Sequence, residues 1–418
     1  YINVPGWIDY HVLEVLSGNV DALVLSAYFH KPRNGALNFG PHWDFDRALG
    51  STDGRDANPR MWNTGPFFGA TWWSRLFTDP DFWQAWVDRW QELRETHFAL
   101  TNLHGLVDRL ADEVRQAQPR EYAKWRVVLR GGSYQSEVNL MKNWLSNRVD
   151  FIDRQLTQPP RLGSHGGRVE PGHMLTIAGP TGATIYYTMD GTDPRAPQGG
   201  VSANARVYSG PIAIDSNARV VARARDPNKR QTGGPPSSTP WSRPVAATFV
   251  VNLPQLLLTE IMFHPAPAPL GATNSSADFE FLELKNAGDT PIALPGFTIT
   301  NGIQFTFTTN SDVTLLDPGD RVLLVKNRAA FQARYPGTGQ IAGEFTGSLD
   351  NAGDRITLYG PLGELVWDIV YGDAWAPLAD GFGFSLVLAD ESVAPEQVSE
   401  QSSWRLSAVV GGSPGMAD

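Results

Sequence analysis

Three aspartates near the start of the sequence have the types and spacing of a catalytic cluster. Asp21 lies in "SGNVDALVLS", and Asp44 and Asp46 flank one phenylalanine in "GPHWDFDRALG". The stretch between them, "LSAYFHKPRNGALNFG", has two strand-like runs around the turn pair Asn34-Gly35. Because a hairpin brings its two ends together, we expect the three carboxylates to share one cleft.

The chemistry available to such a cluster follows from its charge. Clustered carboxylates repel one another, so their ionised forms need a compensating cation. Their hard oxygen ligands suit Mg²⁺ or Mn²⁺. One carboxylate that accepts a hydroxyl proton beside another that holds a metal is the arrangement used in phosphoryl transfer by protein kinases. A simpler alternative stays open, in which Asp44 and Asp46 end a strand and cap backbone amides.

The elements that must position the cluster are mostly helical. In "DPDFWQAWVDRWQELRE" the residues Phe82, Trp86, Trp90 and Leu93 fall on one stripe, and Asp79-Pro80 has the types of an N-cap and a first helical residue. A helix ending at Gly18 and two more, within "LTNLHGLVDRLADEVRQA" and "EVNLMKNWLSNRVDFIDRQL", are also predicted.

Beyond the helices the periodicity changes to two. Residues 157–170, rich in Pro and Gly, are predicted to be an exposed linker. Short alternating runs such as "ATIYYTMD" and "ARVVARARD" predict a β-sandwich over 171–252, and runs such as "FEFLELKNA" predict another over 255–395, before a tail at 396–418. The predicted fold class is multidomain: a mostly α lobe over 1–156, followed by two all-β immunoglobulin-like sandwiches.

Composition excludes several classes of function. The 418 residues carry a net charge of −10 from 34 basic and 44 acidic residues, which argues against sequence-independent nucleic-acid binding. There is no cysteine, so disulfides and thiolate metal sites are excluded. No apolar run approaches the roughly 20 residues of a membrane span. Because the sequence opens on Tyr1 and shows no signal peptide, we expect it to come from a longer parent.

The segments "PGWIDYHVLEVLSGNVD" and "GPHWDFDRALG", with the hairpin between them, resemble the spore-coat protein H (CotH) kinase family. The resemblance covers roughly residues 1 to 156. It implies a divergent kinase-like C-terminal lobe in a secreted or cell-surface bacterial protein. It also implies that Asp21 is the catalytic-loop aspartate, that Asp44 binds metal and that Asp46 belongs to the same motif.

Two departures from that family matter. Where the family usually has an asparagine that supplies a second metal ligand, this chain has Ser26, a weaker ligand. The nucleotide-covering loop and the phosphate-pairing lysine of an N-terminal lobe are not found before Asp21. The resemblance therefore implies Mg²⁺ and ATP as cofactors of a full-length parent, and neither is expected in this fragment. Whether the protein is an enzyme stays open on the sequence, and this fragment by itself is expected to be inactive.

The β segments resemble accessory modules that bring no chemistry. "YYTMDGTDP" is similar to the chitobiase/β-hexosaminidase C-terminal-type module, and "FEFLELKNAGDTPIALPGFTIT" resembles a bacterial lamin-tail domain. Asp190 and Asp193 could bind Ca²⁺, but a turn that caps itself explains them better.

Aromatic residues are a further candidate for binding, here of carbohydrate by stacking. Because they occur at helical spacing, use in a core is favoured for the dense tryptophans of the first domain, Trp62, Trp72, Trp73, Trp83, Trp86 and Trp90.

Two functions remain in competition on the sequence. The favoured one is a secreted or cell-surface structural or adhesive protein that contacts other surface proteins or polysaccharide. The alternative is a secreted atypical Ser/Thr protein kinase, active only with a further N-terminal lobe.

Overall fold

The structure is a computed structural model, which describes residues 1–62, 64–70, 72–126, 129–231, 233–271 and 273–418. The chain divides into two compact units. Unit 1 comprises residues 1–165, 174–213 and 220–247, and unit 2 comprises residues 166–173, 214–219 and 248–418.

The α-helices of the described residues are α1 (Val4–Ser17), α2 (Trp73–Leu76), α3 (Pro80–Glu95), α4 (Leu100–Val114), α5 (Gln118–Trp125), α6 (Tyr134–Gln155) and α7 (Arg328–Arg334). The strands are β1 (Phe29–His30), β2 (Asn38–Phe39), β3 (Arg161–Leu162), β4 (Gly167–Arg168), β5 (His173–Leu175), β6 (Ile177–Ala178), β7 (Thr184–Thr188), β8 (Arg206–Val207), β9 (Ile212–Ile214), β10 (Ala218–Arg225), β11 (Val245–Val250), β12 (Leu256–Met262), β13 (Phe281–Asn286), β14 (Ile292–Ala293), β15 (Thr298–Thr300), β16 (Ile303–Thr306), β17 (Leu315–Leu316), β18 (Arg321–Val325), β19 (Gln340–Glu344), β20 (Thr346–Gly347), β21 (Gly353–Tyr359), β22 (Leu365–Gly372), β23 (Leu386–Leu388) and β24 (Trp404–Leu406). The predicted fold class, a mostly α lobe followed by all-β modules, is confirmed.

The helix boundaries of unit 1 follow local capping chemistry. The side chain of Asp79 accepts a hydrogen bond from the Asp81 amide at the start of α3, as predicted. Helix α1 ends at Gly18, whose φ of 67° is left-handed and therefore suits glycine. The helix predicted to end at Gly18 is thus confirmed.

The tryptophans of unit 1 form its core, as the sequence favoured. Trp83, Trp86 and Trp90 on α3 are fully buried, and the rings of Trp86 and Trp90 stack in parallel 5.8 Å apart. Trp62 and Trp73 are also buried, but Trp72 is 53% exposed and departs from the prediction.

The predicted hairpin exists, although its strands are only two residues long. β1 pairs antiparallel with β2, with Phe29 opposite Phe39. The tight turn is closed by a hydrogen bond from the Gly35 amide to the Pro32 carbonyl at 3.1 Å. Asn34 and Gly35 are therefore the last two residues of the turn, not the two residues of a minimal hairpin loop.

Two short strands and a buried residue lie within the predicted linker, residues 157–170. Within unit 1, β3 pairs antiparallel with β6, and within unit 2, β4 pairs in parallel with Phe249 and Val250 of β11. Thr157 is buried and donates to the carbonyl of Pro240 at 2.9 Å. Because edge strands of β modules accept short extended segments, these residues belong to the sheets that follow them and are not all a free connection.

Unit 2 is a sandwich of two main sheets. One sheet has the strand order β19-β18-β13-β12-β23-β24, and the other has β20-β16-β15-β21-β22. Between them lies an apolar core that includes Leu282, Leu284, Ile299 and Trp367. Sheets of this kind bury one face against each other and leave the other face to be covered by loops or helices.

Alternation along β13 sets which side chains reach that core. Leu282 and Leu284 enter the core between the sheets, whereas Phe281 packs in a separate cluster with Phe331 of α7. Glu280 and Glu283 are buried, so acids do lie within apolar packing. Among the described residues, no helix has both the length and the apolar character needed to cross a membrane.

Candidate functional site

Asp21 lies at the start of a tight turn that follows α1. The Asp21 carbonyl accepts hydrogen bonds from the amides of Val24, Leu25 and Ser26 at 3.2, 2.9 and 3.1 Å. This turn brings Ser26, at the position of the family's asparagine, back beside Asp21.

Asp44 is bound to both ends of the segment that contains Asp21. Asn19 donates its Nδ2 to the Asp44 carbonyl at 3.2 Å, and Ser26 donates its Oγ to Asp44 Oδ2 at 2.9 Å. Asp44 has a φ of 64°, a left-handed conformation that is uncommon outside glycine and that clusters at functional sites. The expectation that the hairpin brings Asp44 to Asp21 is confirmed by these contacts.

Asp46 joins the group through an arginine that the sequence reasoning did not single out. Arg47 places its Nη1 3.0 Å from Asp21 Oδ2 and its Nε 3.8 Å from Asp46 Oδ2. The side chain of Asp46 is 69% exposed, so it faces solvent at the rim of the cleft.

A second arginine binds Asp21 more completely. Arg55 donates Nη1 to Asp21 Oδ1 at 2.8 Å and Nη2 to Asp21 Oδ2 at 3.1 Å, and its Nε to Asp53 Oδ1 at 2.6 Å. A guanidinium fork that meets both oxygens of a carboxylate is a strong pairing geometry. The only sequence signal for this residue was the charged run "DGRD" at 53–56, a pattern typical of a surface turn.

The two arginines set the electrostatics of the cleft. The hydrogen bonds from Arg55 and then those from Arg47 hold the pKa of Asp21 below its ordinary value of 3.8, against the opposing effect of burial. The hydrogen bond from Arg55 likewise lowers the pKa of Asp53. A carboxylate with a lowered pKa is a weak base, so in this arrangement Asp21 is held ionised and already paired.

Trp144 of α6 packs against the loop that carries Asp44 and Asp46 and ends at Gly50. Trp144 donates its indole Nε1 to the carbonyl of Asp56 at 2.9 Å. A Cβ on Gly50 would lie 2.7 Å from Trp144 Cδ1, and Gly50 has a φ of 76°. The glycine that ends the motif is therefore required both by conformation and by the close approach of the indole.

A buried glutamate supports the other side of the motif. Glu14 of α1 is fully buried, and its Oε1 lies 3.0 Å from Nδ1 of His42. The ring of His42 stacks on Tyr10 with centroids 4.4 Å apart. These contacts fix the residues just before Asp44.

The carboxylates supply the right donor atoms for a divalent cation, but their present partners fit one poorly. Both oxygens of Asp21 are engaged by guanidinium groups, and Asp44 accepts from Ser26. Throughout the described ranges, no group of three or more His, Cys, Asp and Glu side chains is arranged to hold a metal ion. Asp44 and Asp46 are the two carboxylates on which such an ion would have to rely.

The aspartates of "YYTMDGTDP" are explained by their own turn. Asp190 Oδ1 accepts from the Thr192 amide at 3.0 Å, and Asp193 Oδ1 accepts from the Arg195 amide at 2.8 Å. Arg223 donates to Asp193 as well. Both carboxylates are thus used in the self-capping arrangement that the sequence favoured over Ca²⁺.

Three family models match the chain. Residues 1–152 match "CotH kinase protein", residues 174–233 match "Fn3 associated" and residues 253–373 match "Lamin Tail Domain". The resemblances to the CotH family and to the lamin tail are confirmed, whereas the middle match is to an Fn3-associated domain and no chitobiase-type module is shown.

No curated protein matches the chain. Among solved structures, a DUF4876 family protein from Bacteroides thetaiotaomicron is similar at 14% identity with a TM-score of 0.20, over 46% of this chain and 64% of that chain. A similarity at that TM-score carries no argument. In order along the sequence, the chain is therefore similar to a CotH kinase protein, an Fn3-associated domain and a Lamin Tail Domain.

Proposed function

We propose that this chain belongs to a secreted or cell-surface bacterial protein with a structural or adhesive role, in which the CotH-like lobe and the β modules form a connected scaffold. The sequence of matched domains supports a multidomain protein of extracellular type. Partners of the scaffold would be other surface proteins or polysaccharide. The resemblance of the middle segment to a chitobiase-type accessory module belongs to the same proposal.

The observation that carries the proposal is a buried ion network inside unit 1, between α3 and the middle β segment. Arg223 of β10 is only 3% exposed and donates Nη1 and Nη2 to Asp88 of α3 at 2.7 and 2.8 Å. Its Nε and Nη2 also bind Asp193, at 2.7 and 2.6 Å. Burial opposes the charge of Arg223, but its hydrogen bonds to Asp88 and Asp193 raise its pKa, so it stays charged.

Buried glutamine side chains also join α3 to the middle β segment. Gln84 and Gln91 of α3 are buried, and Gln91 accepts from the Arg243 amide at 2.7 Å while donating to the Thr157 carbonyl at 2.8 Å. Trp83 donates to Gln231 at 3.2 Å. A buried polar network of this kind fixes one relative arrangement of the elements that it joins. Helical lobe and middle segment are therefore held as one body, which suits a load-bearing or spacing role.

The experiment compares three variants in cells that make the full-length parent. The structural proposal expects the protein on the outside of intact cells, where added protease reaches it, and expects Asp21→Asn with Asp44→Asn to leave surface attachment unchanged. Arg223→Met should weaken attachment, whereas Arg89→Met, which removes only exposed pairs with Asp9 and Glu92, should not. Protein found only inside cells, or attachment lost with the aspartate variants, would overturn the proposal.

A second candidate, a secreted Ser/Thr protein kinase of the CotH type, is favoured by two observations. Arg47 contacts both Asp21 and Asp46, and Asp44 accepts a hydrogen bond from Ser26, which lies on the turn that begins at Asp21. In that role Asp21 would accept the proton of the acceptor hydroxyl, and Asp44 and Asp46 would hold Mg²⁺. The metal would neutralise charge on the phosphates of ATP. For Asp21 to act as a base, Arg55 would have to leave at least one of its oxygens.

The second candidate is tested with Mg-ATP. Calorimetry and a phosphate-transfer assay on a Ser-rich peptide should show neither tight binding nor turnover for the 418-residue chain, because the carboxylates are already paired. If the longer parent is active and Asp21→Ala and Asp44→Ala each silence it, the kinase proposal holds for the parent. Micromolar binding by this chain that Asp44→Ala abolishes would show the lobe to be sufficient and the structural proposal incomplete.

A further inference from the structure

Two carboxylates lie side by side on the outer face of the six-stranded sheet of unit 2. Glu260 of β12 and Glu283 of β13 are direct cross-strand partners, and both are buried. Two adjacent buried acids cost free energy unless they receive hydrogen bonds. Their partners therefore show what this face of the sheet is built to bind.

Several of those partners come from one short segment, which we call the strap, residues 411–415, with the sequence "GGSPG". The Ser413 amide donates to Glu260 Oε1 at 2.9 Å, and the Gly415 amide donates to Glu283 Oε2 at 2.6 Å. Ser413 Oγ adds a longer contact of 3.4 Å to Glu260 Oε2. The strap is thus held through its backbone amides, as peptides are in many recognition sites.

The cleft that holds the strap excludes any side chain at its second position. A Cβ on Gly412 would lie 2.0 Å from Glu260 Oε1 and 2.8 Å from Ser385 Oγ. The left-handed φ of 75° at Gly412 adds a second reason for glycine. At the far end, a Cβ on Gly415 would meet Gly339 Cα at 3.0 Å. The cleft therefore selects glycine by shape at both ends of the strap.

The fixed parts of the cleft are held in place without the strap. Glu283 accepts from Arg321 Nη1 at 2.6 Å and from Thr259 Oγ1 at 2.7 Å. Ser385 donates its Oγ to Glu260 Oε1 at 2.5 Å. Because these donors lie on the strands or just before β23, both acceptors would keep their positions if the strap left.

The strap, by contrast, reaches the cleft as a separate piece of chain. Val409 and Val410, which precede it, are 54% and 64% exposed. The strap also lies beyond residues 253–373, the part matched by the lamin-tail family. The Gly411 amide also donates to the Gly383 carbonyl at 2.6 Å, but the strap belongs to no strand, and a segment outside the sheet opens more readily than the sheet beneath it.

We propose that the cleft formed by Glu260, Glu283, Ser385 and Gly339 is a peptide-binding site for a Gly-Gly-Ser-Pro-Gly segment, occupied here by the strap of the same chain. The occupant that it accepts from outside is a peptide of the same sequence, such as the strap of a second copy. Specificity comes from the two carboxylates, which bind the backbone amides of Ser413 and Gly415 on either side of Pro414, and from the absence of space for a Cβ at Gly412.

The test uses the full chain and a fluorescent synthetic peptide of residues 408–418. Gly412→Ala should expel the strap by collision with Glu260 and leave the cleft empty. The peptide should then bind this variant saturably, and at least about tenfold more tightly than the wild-type chain, whose own strap competes at a high effective concentration. The same peptide with alanine at the second strap position should not bind.

The matched control is Gly319→Ala. Gly319 has a comparable left-handed φ of 86°, but no atom lies within 4 Å of its added Cβ. This variant carries the backbone strain without any contact with the cleft, and it should bind the peptide no better than the wild-type chain does.

Hydrogen exchange of the Ser413 and Gly415 amides establishes whether the strap has left. Protection is expected in the wild-type and Gly319→Ala chains and loss of protection in the Gly412→Ala chain. If Gly412→Ala fails to fold, Ser413→Pro, which removes the amide that Glu260 accepts, replaces it. The proposal is overturned if the emptied cleft does not bind the peptide. It is also overturned if the strap amides stay fully protected from exchange in the Gly412→Ala chain.

Discussion

Two groups of acids, one in each unit, are stabilised in opposite ways. Asp21 and Asp53 in unit 1 lie in a surface cleft and are paired with Arg47 and Arg55, whose side chains are 45% and 46% exposed. Glu260 in unit 2 is buried and accepts hydrogen bonds from Ser385 and from the strap, with no basic side chain bonded to it in the described part of the chain.

The pKa values move in opposite directions as a result. Hydrogen bonds from Arg55 lower the pKa of Asp21, whereas burial raises the pKa of Glu260 to about 7. Burial also raises the pKa of Glu283, although Thr259 and Arg321 oppose that shift. The formal charge of −10 counts these acids alike, but near neutral pH Glu260 is only partly ionised.

The largest expected effect comes from removing the cation bound to Glu283, the cross-strand neighbour of Glu260. Arg321 is 9% exposed and binds both Glu283 and Glu391. Arg321→Met should lower the free energy of unfolding of unit 2 by about 3–5 kcal/mol, because it leaves Glu283 buried without its cation. Urea denaturation at pH 7 measures this change, and a loss below about 1 kcal/mol would mean that the strap and Thr259 alone satisfy Glu283.

The next effect depends on pH and has a definite sign. The folded pKa of Glu260, about 7, lies above its ordinary value of 4.5, so the neutral acid is favoured in the fold. Its stabilising contribution is present below pH 4.5 and is lost as the pH rises through 7. Between pH 4.5 and pH 8, wild type should lose on the order of 3 kcal/mol relative to Glu260→Gln. Parallel pH profiles for the two proteins would contradict the assignment.

A smaller effect is the difference between two glycine substitutions in the loop of the surface group. Gly50→Ala combines a left-handed φ with a collision against Trp144, whereas Gly54 has a φ of 89° and no atom within 4 Å of an added Cβ. Gly54→Ala should cost about 1–2 kcal/mol from φ alone, and Gly50→Ala about 1–3 kcal/mol more from overpacking. Thermal unfolding of both variants measures the difference, and equal costs would show that Trp144 moves aside.

The smallest effect is expected at the surface pairs themselves. Arg55→Gln should change the unfolding free energy at pH 7 too little for a denaturation curve to resolve, because half-exposed pairs contribute little. It should nevertheless raise the pKa of Asp21, because the largest cause of its lowering is the hydrogen bond from Arg55. The Asp21 carboxyl would be followed by pH-dependent NMR. An unchanged Asp21 pKa would mean that Arg47 alone is sufficient.

The parts of the fold that depend on local chemistry were predictable from sequence. Asp79 caps α3 and Gly18 ends α1 because capping needs only neighbouring residues. The hairpin followed from Asn34-Gly35 and its flanking runs, and it brought Asp44 to the segment of Asp21. The exposure of Trp72 was missed, since periodicity predicts which residues share a face and not whether another element covers it.

The partners of charged groups were not predictable in the same way. Arg55 lies 34 residues from Asp21, and Glu260 lies 153 residues from Ser413, so no local pattern joins them. The pairing of β3 and β4 within the predicted linker was not predictable for a related reason, because Pro- and Gly-rich segments can still pair with the edge of a sheet.

The sequence by itself determined the order of the modules, most helices and strands, and the three aspartates that the hairpin gathers. Periodicity, capping and turn chemistry act over a few residues, so they can be read without coordinates. Only the tertiary structure decided which acid is paired, which is buried, and that the strap fills a glycine-selective cleft beside Glu260. Those outcomes depend on distances between residues that are far apart in the chain. The pKa of a carboxyl group is set by these distances and by its burial, which its position in the sequence does not reveal.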